Sequence, residues 1–110
     1  MGLALFKERR SGQRKRLTGL MPGPLKKVDS GELISARPVD VSQAGMGIIS
    51  SSELEVGALL EIKLDEQIVK LEVRWSRPDF AKSDLVRYGL HVVDLRQDLE
   101  KIFIDSGCLV

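Results

Sequence analysis

The chain has 110 residues and a mass of 12.2 kDa, enough to bury one hydrophobic core and too short for two comfortable domains. Hydrophobic residues make up 43% and charged residues 30%, with Gly 10 against Pro 4, which excludes the fibrous and disordered classes. The formal charge of +1 hides an asymmetry: Lys7, Arg9, Arg10, Arg14, Lys15 and Arg16 against Glu8 give residues 1–16 a net +5, leaving −4 for the rest, a pattern of anion-binding or nucleic-acid-binding tails.

In chain order, "MGLALFKE" holds an apolar patch of Leu3, Leu5 and Phe6 suited to packing on the body or on a partner. Residues 9–16 show no apolar periodicity, and Gly12 would cost about 1 kcal/mol inside a helix, so residues 1–16 are expected to form a flexible basic arm. The body, residues 17–110, begins with "LTGLMPGPLKKV", where Gly19, Pro22, Gly23 and Pro24 break any long strand and leave a short edge strand near Leu25 to Val28. "DSGE" at 29–32 reads as a turn.

From Ile34 the pattern is strand-like: "ISARPVDVS", "GMGIIS", "ALLEIKL", "IVKLEVRWS" and "YGLHVV" are short segments separated by turn residues. The clearest alternation runs from Ile68 to Ser76, where Val69, Leu71, Val73 and Trp75 share one face, which predicts Trp75 in the core. Leu60, Ile62 and Leu64 alternate likewise, and "DEQ" links them to the next strand as a hairpin. His91 falls out of phase with Leu90 and Val92, at an exposed or partly covered strand position.

Near the end the period changes. Leu95, Leu99, Ile102 and Phe103 lie on one helical face, which predicts a helix over about 94–106, capped by Asp94 with Gln97 as its partner and closed by Gly107. The expected fold is mainly β: a small six-stranded antiparallel β-barrel with a flexible basic N-terminal arm and a C-terminal α-helix.

Catalytic and metal chemistry find little support. His91 and Cys108 are the single His and the single Cys, without zinc-ligand spacing, and no D-x-D-x-D-G calcium loop is present. Ser42 has no histidine in its motif, and Asp65 and Glu66 occupy a hairpin turn where solvation explains them, so no enzyme, metal or cofactor is expected. No apolar run approaches the roughly 18 residues of a spanning helix, and "MGLALF" lacks the basic front and length of a signal peptide; a cytoplasmic protein without membrane insertion is expected.

Two local features carry the functional reading. Arg10-x-x-x-Arg14 lies in the basic arm, and Asp40-x-Ser42-x-x-Gly45, in "VDVSQAGMGI", lies between two predicted strands. Each alone is a common pattern. In this order, followed by "VRWSRPD", "YGLHVVDL" and a C-terminal helix, they resemble the PilZ domain family, bacterial receptors for cyclic di-GMP, over roughly residues 9–105. The resemblance implies a PilZ-like split barrel that takes cyclic di-GMP as ligand through Arg10, Arg14, Asp40, Ser42 and Gly45. It also implies that Arg9, just before the R-x-x-x-R, favours a stacked ligand pair; Arg9 and Arg16 are the candidate extra contacts.

The ligand's chemistry suits these residue types. Cyclic di-GMP carries two anionic phosphates and two guanines whose O6 and N7 form an acceptor pair, and arginine's planar fork fits both while also stacking on base faces. Asp40 supplies an acceptor for guanine N1–H and N2–H₂, or orients an arginine. Ser42 can meet a phosphate or a base edge, and Gly45 permits positive φ and close backbone approach. The plainer reading of Asp40 and Ser42 is a capped tight turn.

A dianionic ligand would order the basic arm against the barrel and move "MGLALF" with it, making the chain an adaptor to an unidentified protein effector in processes such as motility or biofilm formation. Either a monomer or a ligand-dependent dimer fits. "GLMPGPL" departs from the family's usual first strand, so one alternative is a degenerate PilZ module that works by protein contacts without ligand binding. Another is a small β-barrel binding single-stranded nucleic acid, for which one Trp, one Tyr and three Phe offer little stacking surface; no specific nucleic acid is expected.

Overall fold

Alternating apolar residues become strands wherever a neighbour offers a matching face. The computed structural model describes residues 16–79 and 84–110. Within them lie β1 (Leu25–Lys27), β2 (Ala36–Val41), β3 (Gly45–Ser50), β4 (Leu59–Lys63), β5 (Ile68–Pro78) and β6 (Val86–Val92), followed by the helix α1 (Leu99–Asp105). The six antiparallel strands form one sheet in the order β1-β4-β5-β6-β3-β2, curled into a half-barrel.

The inner face is the core. Leu60 pairs with Leu71 and Ile62 with Val69, and all four are fully buried. Met46 opposite Leu90 and Ile48 opposite Tyr88 extend the same layer, and Leu99, Ile102 and Phe103 of α1 join it. Burying such side chains stabilises the fold by about 1.5–3 kcal/mol each. The Tyr88 hydroxyl donates to the Ser52 carbonyl at 2.7 Å and accepts the Leu54 N–H at 3.0 Å, tying the loop after β3 to β6.

β1 lies at a sheet edge, as its Gly- and Pro-rich approach predicts, and is in register with β4 from Leu25↔Ile62. Gly23 packs against the Lys63 carbonyl, where a Cβ would collide. The free side of β1 is partly covered by the run leading to β2: Lys26 bridges Leu33, and the Ile34 N–H donates to the Leu25 carbonyl at 2.8 Å.

The helix begins at Leu99 rather than near residue 94, and its N-cap is Asp98, whose carboxylate accepts the Lys101 N–H at 3.1 Å. Asp94 closes a turn instead. It accepts the Arg96 backbone N–H and two guanidinium bonds, each 3.0 Å, and the Arg96 side chain followed by its backbone bond holds the carboxyl below the ordinary carboxylate range. Leu95, expected on the buried helical face, is 69% exposed.

The other end follows expectation. Gly107, at φ +76°, lets the Cys108 N–H reach the Phe103 carbonyl at 2.8 Å and its own N–H reach the Ile104 carbonyl at 3.1 Å. Past that cap, Arg16 and Val110 exchange backbone hydrogen bonds of 2.6 and 2.9 Å, and the Thr18 N–H donates to the Cys108 carbonyl at 3.0 Å. Cys108 is buried there, and that burial raises its thiol pKa.

Asp98→Ala should lower unfolding free energy by about 1 kcal/mol, the usual size of a lost cap, and Tyr88→Phe by about 1–3 kcal/mol for a stranded buried N–H. Urea unfolding reads both. A larger loss in Asp94→Ala than in Asp98→Ala would contradict the cap assignment.

Candidate ligand-binding site

Two irregularities decide what the outer face of the sheet presents. In β5, Val73 pairs with Leu90 and Trp75 with Gly89, so Arg74 is an extra residue, a β-bulge. In β2, Pro38 pairs with Ile48 and Asp40 with Gly47, leaving Val39 as the extra residue. Each bulge reverses the facing of the residues after it. Trp75, predicted in the core by its alternation with Val73, is 45% exposed on the outer face. Asp40, which would follow the buried Pro38 inward in an unbroken strand, is exposed as well.

The two redirected side chains fall in one row. Trp75 pairs with Gly89, Gly89 with Gly47, and Gly47 with Asp40, across four adjacent strands. The indole lies over Gly89, where a Cβ would overlap the ring. On the far side the Gly47 N–H donates to Asp40 Oδ1 at 2.7 Å, and a Cβ on Gly47 would come within 2.9 Å of that oxygen. Two glycines thus form a floor between an aromatic wall and a carboxylate. Ser42, Gly45, Arg74 and His91 complete the rim of an open depression of about 500 Å³.

Of the residues singled out in the sequence, Asp40, Ser42 and Gly45 meet at this depression. The Ser42 N–H and hydroxyl both donate to the Gly45 carbonyl, at 2.8 and 3.2 Å, so Ser42 braces the turn while its side chain stays exposed. That is the capped-turn reading, and it holds locally. Among the described residues, however, Asp40 Oδ2 carries no hydrogen bond, leaving a carboxylate oxygen for a donor.

Gly45 is needed for a reason other than positive φ. Among the described residues the positive-φ glycines are Gly19, Gly31, Gly57 and Gly107, whereas a Cβ on Gly45 would strike the Leu90 carbonyl. Arg9, Arg10 and Arg14 lie outside the described residues. Arg16 is exposed, its backbone paired with Val110. On the rim, Arg74 is salt-bridged to Glu72 at 3.1 Å, and His91 Nδ1 hydrogen bonds the Val92 carbonyl at 3.0 Å. No group of His, Cys, Asp or Glu among the described residues is arranged to hold a metal.

Trp75 is the site residue that alternation hid. Its sequence signal is indirect: "YGL" and "GMG" place a glycine at the middle of two apolar strands, and glycine inside a strand marks a bulge or a close approach.

The family model of the PilZ domain matches residues 8–106. No curated protein and no solved structure matches the chain. PilZ domains are cyclic di-GMP receptors, ligand-binding adaptors rather than enzymes. No helix among the described residues is long and apolar enough to cross a membrane. The match takes in both motifs, both bulged strands and the C-terminal helix, and the chain belongs to the PilZ domain family.

Proposed function

We propose that this chain is itself a cyclic di-GMP receptor, with the ligand seated on the Trp75–Asp40 row and Arg10 and Arg14 brought over it from the arm. The observation that carries this reading is the paired glycine floor, Gly47 and Gly89, between an exposed indole and a carboxylate at the D-x-S-x-x-G turn. Such a floor admits a flat, polar-edged base close to the backbone. One guanine stacks on Trp75, and Asp40 Oδ2 accepts from a guanine N1–H and N2–H₂.

The arm supplies the cations. Arg10 and Arg14 hold phosphate oxygens or the O6/N7 edge through charge-assisted forks, and Ser42 and Gly45 keep the turn in shape beneath them. Arg9 contacts a second, stacked ligand in this reading, and Arg16, whose backbone is paired with Val110, is where the arm departs from the barrel.

Ligand binding also works as a relay. Fixing the arm repositions Leu3, Leu5 and Phe6 relative to the barrel and creates or removes a surface for a protein effector. The paired Arg16 and Val110 link that event to the segment after α1.

Calorimetric titration with cyclic di-GMP should saturate at about tens of micromolar or below. Arg10→Ala and Arg14→Ala should each weaken binding about tenfold or more with an unchanged unfolding midpoint, since each removes charge-assisted bonds outside the core. Absence of saturation in the parent, or parental affinity in both variants, would refute the assignment.

A second expectation concerns the platform. Trp75 is the single tryptophan, so its emission should change on ligand addition. Trp75→Leu should weaken binding about tenfold through lost stacking, and Gly89→Ala should do likewise by displacing the ring. Parental affinity in Trp75→Leu would place the ligand elsewhere.

A further inference from the structure

The register that builds the platform builds a second row beside it. Arg77 pairs with Arg87, Arg87 with Ile49, and Ile49 with Arg37, so three arginines run across the same four strands. They share the outer face with Trp75 and Asp40, because each lies two residues along from its member of that row, or three on the bulged β2. Two residues of strand separate the rows by about 6.8 Å.

This arrangement is electrostatically unfavourable on its own. Like charges directly opposite one another destabilise a sheet, and Arg77 and Arg87 are direct partners. Asp79, only 9% exposed, partly answers the charge by standing 3.6 Å from the Arg87 Nε. Three arginines and one carboxylate still leave the row net positive. One end of it already reaches the platform, since the Arg77 guanidinium carbon lies 5.2 Å from the centre of the Trp75 ring. At the other end Arg37, Arg87 and Asp79 border a second hollow of about 540 Å³ beside Ser50 and Ser51.

We propose that Arg77, Arg87 and Arg37 form an anion-binding row that receives the phosphate of cyclic di-GMP farther from the Asp40–Ser42 turn. The proposal rests on the reading that the ligand seats on the Trp75–Asp40 platform. A cyclic dinucleotide carries two phosphates, and the turn with the arm's arginines accounts for one. The other, carried past the ring of a base stacked on Trp75, meets Arg77 first. A phosphate between Arg77 and Arg87 replaces their repulsion with two charge-assisted contacts. Asp79 holds Arg87 in position before the ligand arrives, and Arg37 supplies longer-range attraction from β2.

The test is calorimetry with cyclic di-GMP at low and high salt on the parent, Arg77→Gln, Arg37→Gln and Arg96→Gln, with a thermal melt of each. Arg96 lies outside both rows with its side chain 92% exposed, and its variant controls for the loss of one positive charge. Arg77→Gln should bind about tenfold more weakly than the parent, with a shallower loss of affinity as salt rises and a melting temperature no lower than the parent's, since its repulsion with Arg87 is relieved. Arg37→Gln should reduce the salt dependence, and Arg96→Gln should match the parent. Parental affinity and salt dependence in both Arg77→Gln and Arg37→Gln would overturn the arginine row while leaving the platform standing. A parent that does not bind overturns the platform reading, and the row with it.

Discussion

An antiparallel sheet sends its side chains alternately to two faces, and one inserted residue exchanges the faces for every residue after it. In this chain the insertions fall at Arg74 in β5 and at Val39 in β2, on the two strands that flank β6 and β3. Both turn a side chain outward, but of different chemistry. One brings an apolar ring out of the core, and the other keeps a carboxylate from being buried. Because both are opposite glycines in register, the exposed ring and the carboxylate each rest on bare backbone. The depression, the D-x-S-x-x-G turn beside it and the neighbouring arginines all depend on that shared register.

The same register separates the packed face from the face that carries the candidate site. The inner face holds the apolar pairs and the helix, and its polar groups are satisfied, as with the Tyr88 hydroxyl and the Ser50 hydroxyl on the Ser35 carbonyl. The outer face collects charge: Arg77, Arg87 and Arg37 run beside a floor without side chains, and Arg74 stands on its rim. Removing a charge from this face changes what is attracted to it and leaves the core intact. Residues 1–16 carry a net +5 in the sequence, and Arg16 is tied to Val110 through its backbone.

Much of the fold was legible because period-two alternation is a local signal. β4 and the first half of β5 follow it without exception, and the Gly-Pro lead-in correctly limits β1 to a short edge. The helix end was legible too, since Gly107 has one obvious use. The helix start was not: Asp94 and Asp98 are both good caps, Leu95 keeps the spacing, and the Arg96 side chain that claims Asp94 decides between them. Trp75 was misplaced for a deeper reason. A bulge is set by the partner strand, and the small residue that permits it, Gly89, lies fourteen residues away. The motif singled out Asp40, Ser42 and Gly45, which line one depression, although the bulge that turns Asp40 outward left no mark in the spacing.

The most direct measurement is a set of intermolecular nuclear Overhauser effects in the protein saturated with cyclic di-GMP. A ligand seated across the glycine floor predicts contacts from guanine H8 and ribose protons to the Trp75 indole and the Gly89 and Gly47 α-protons, with the Arg77 side chain adjoining. Ligand contacts confined to other surfaces, with none to Trp75 or either glycine, would contradict the placement.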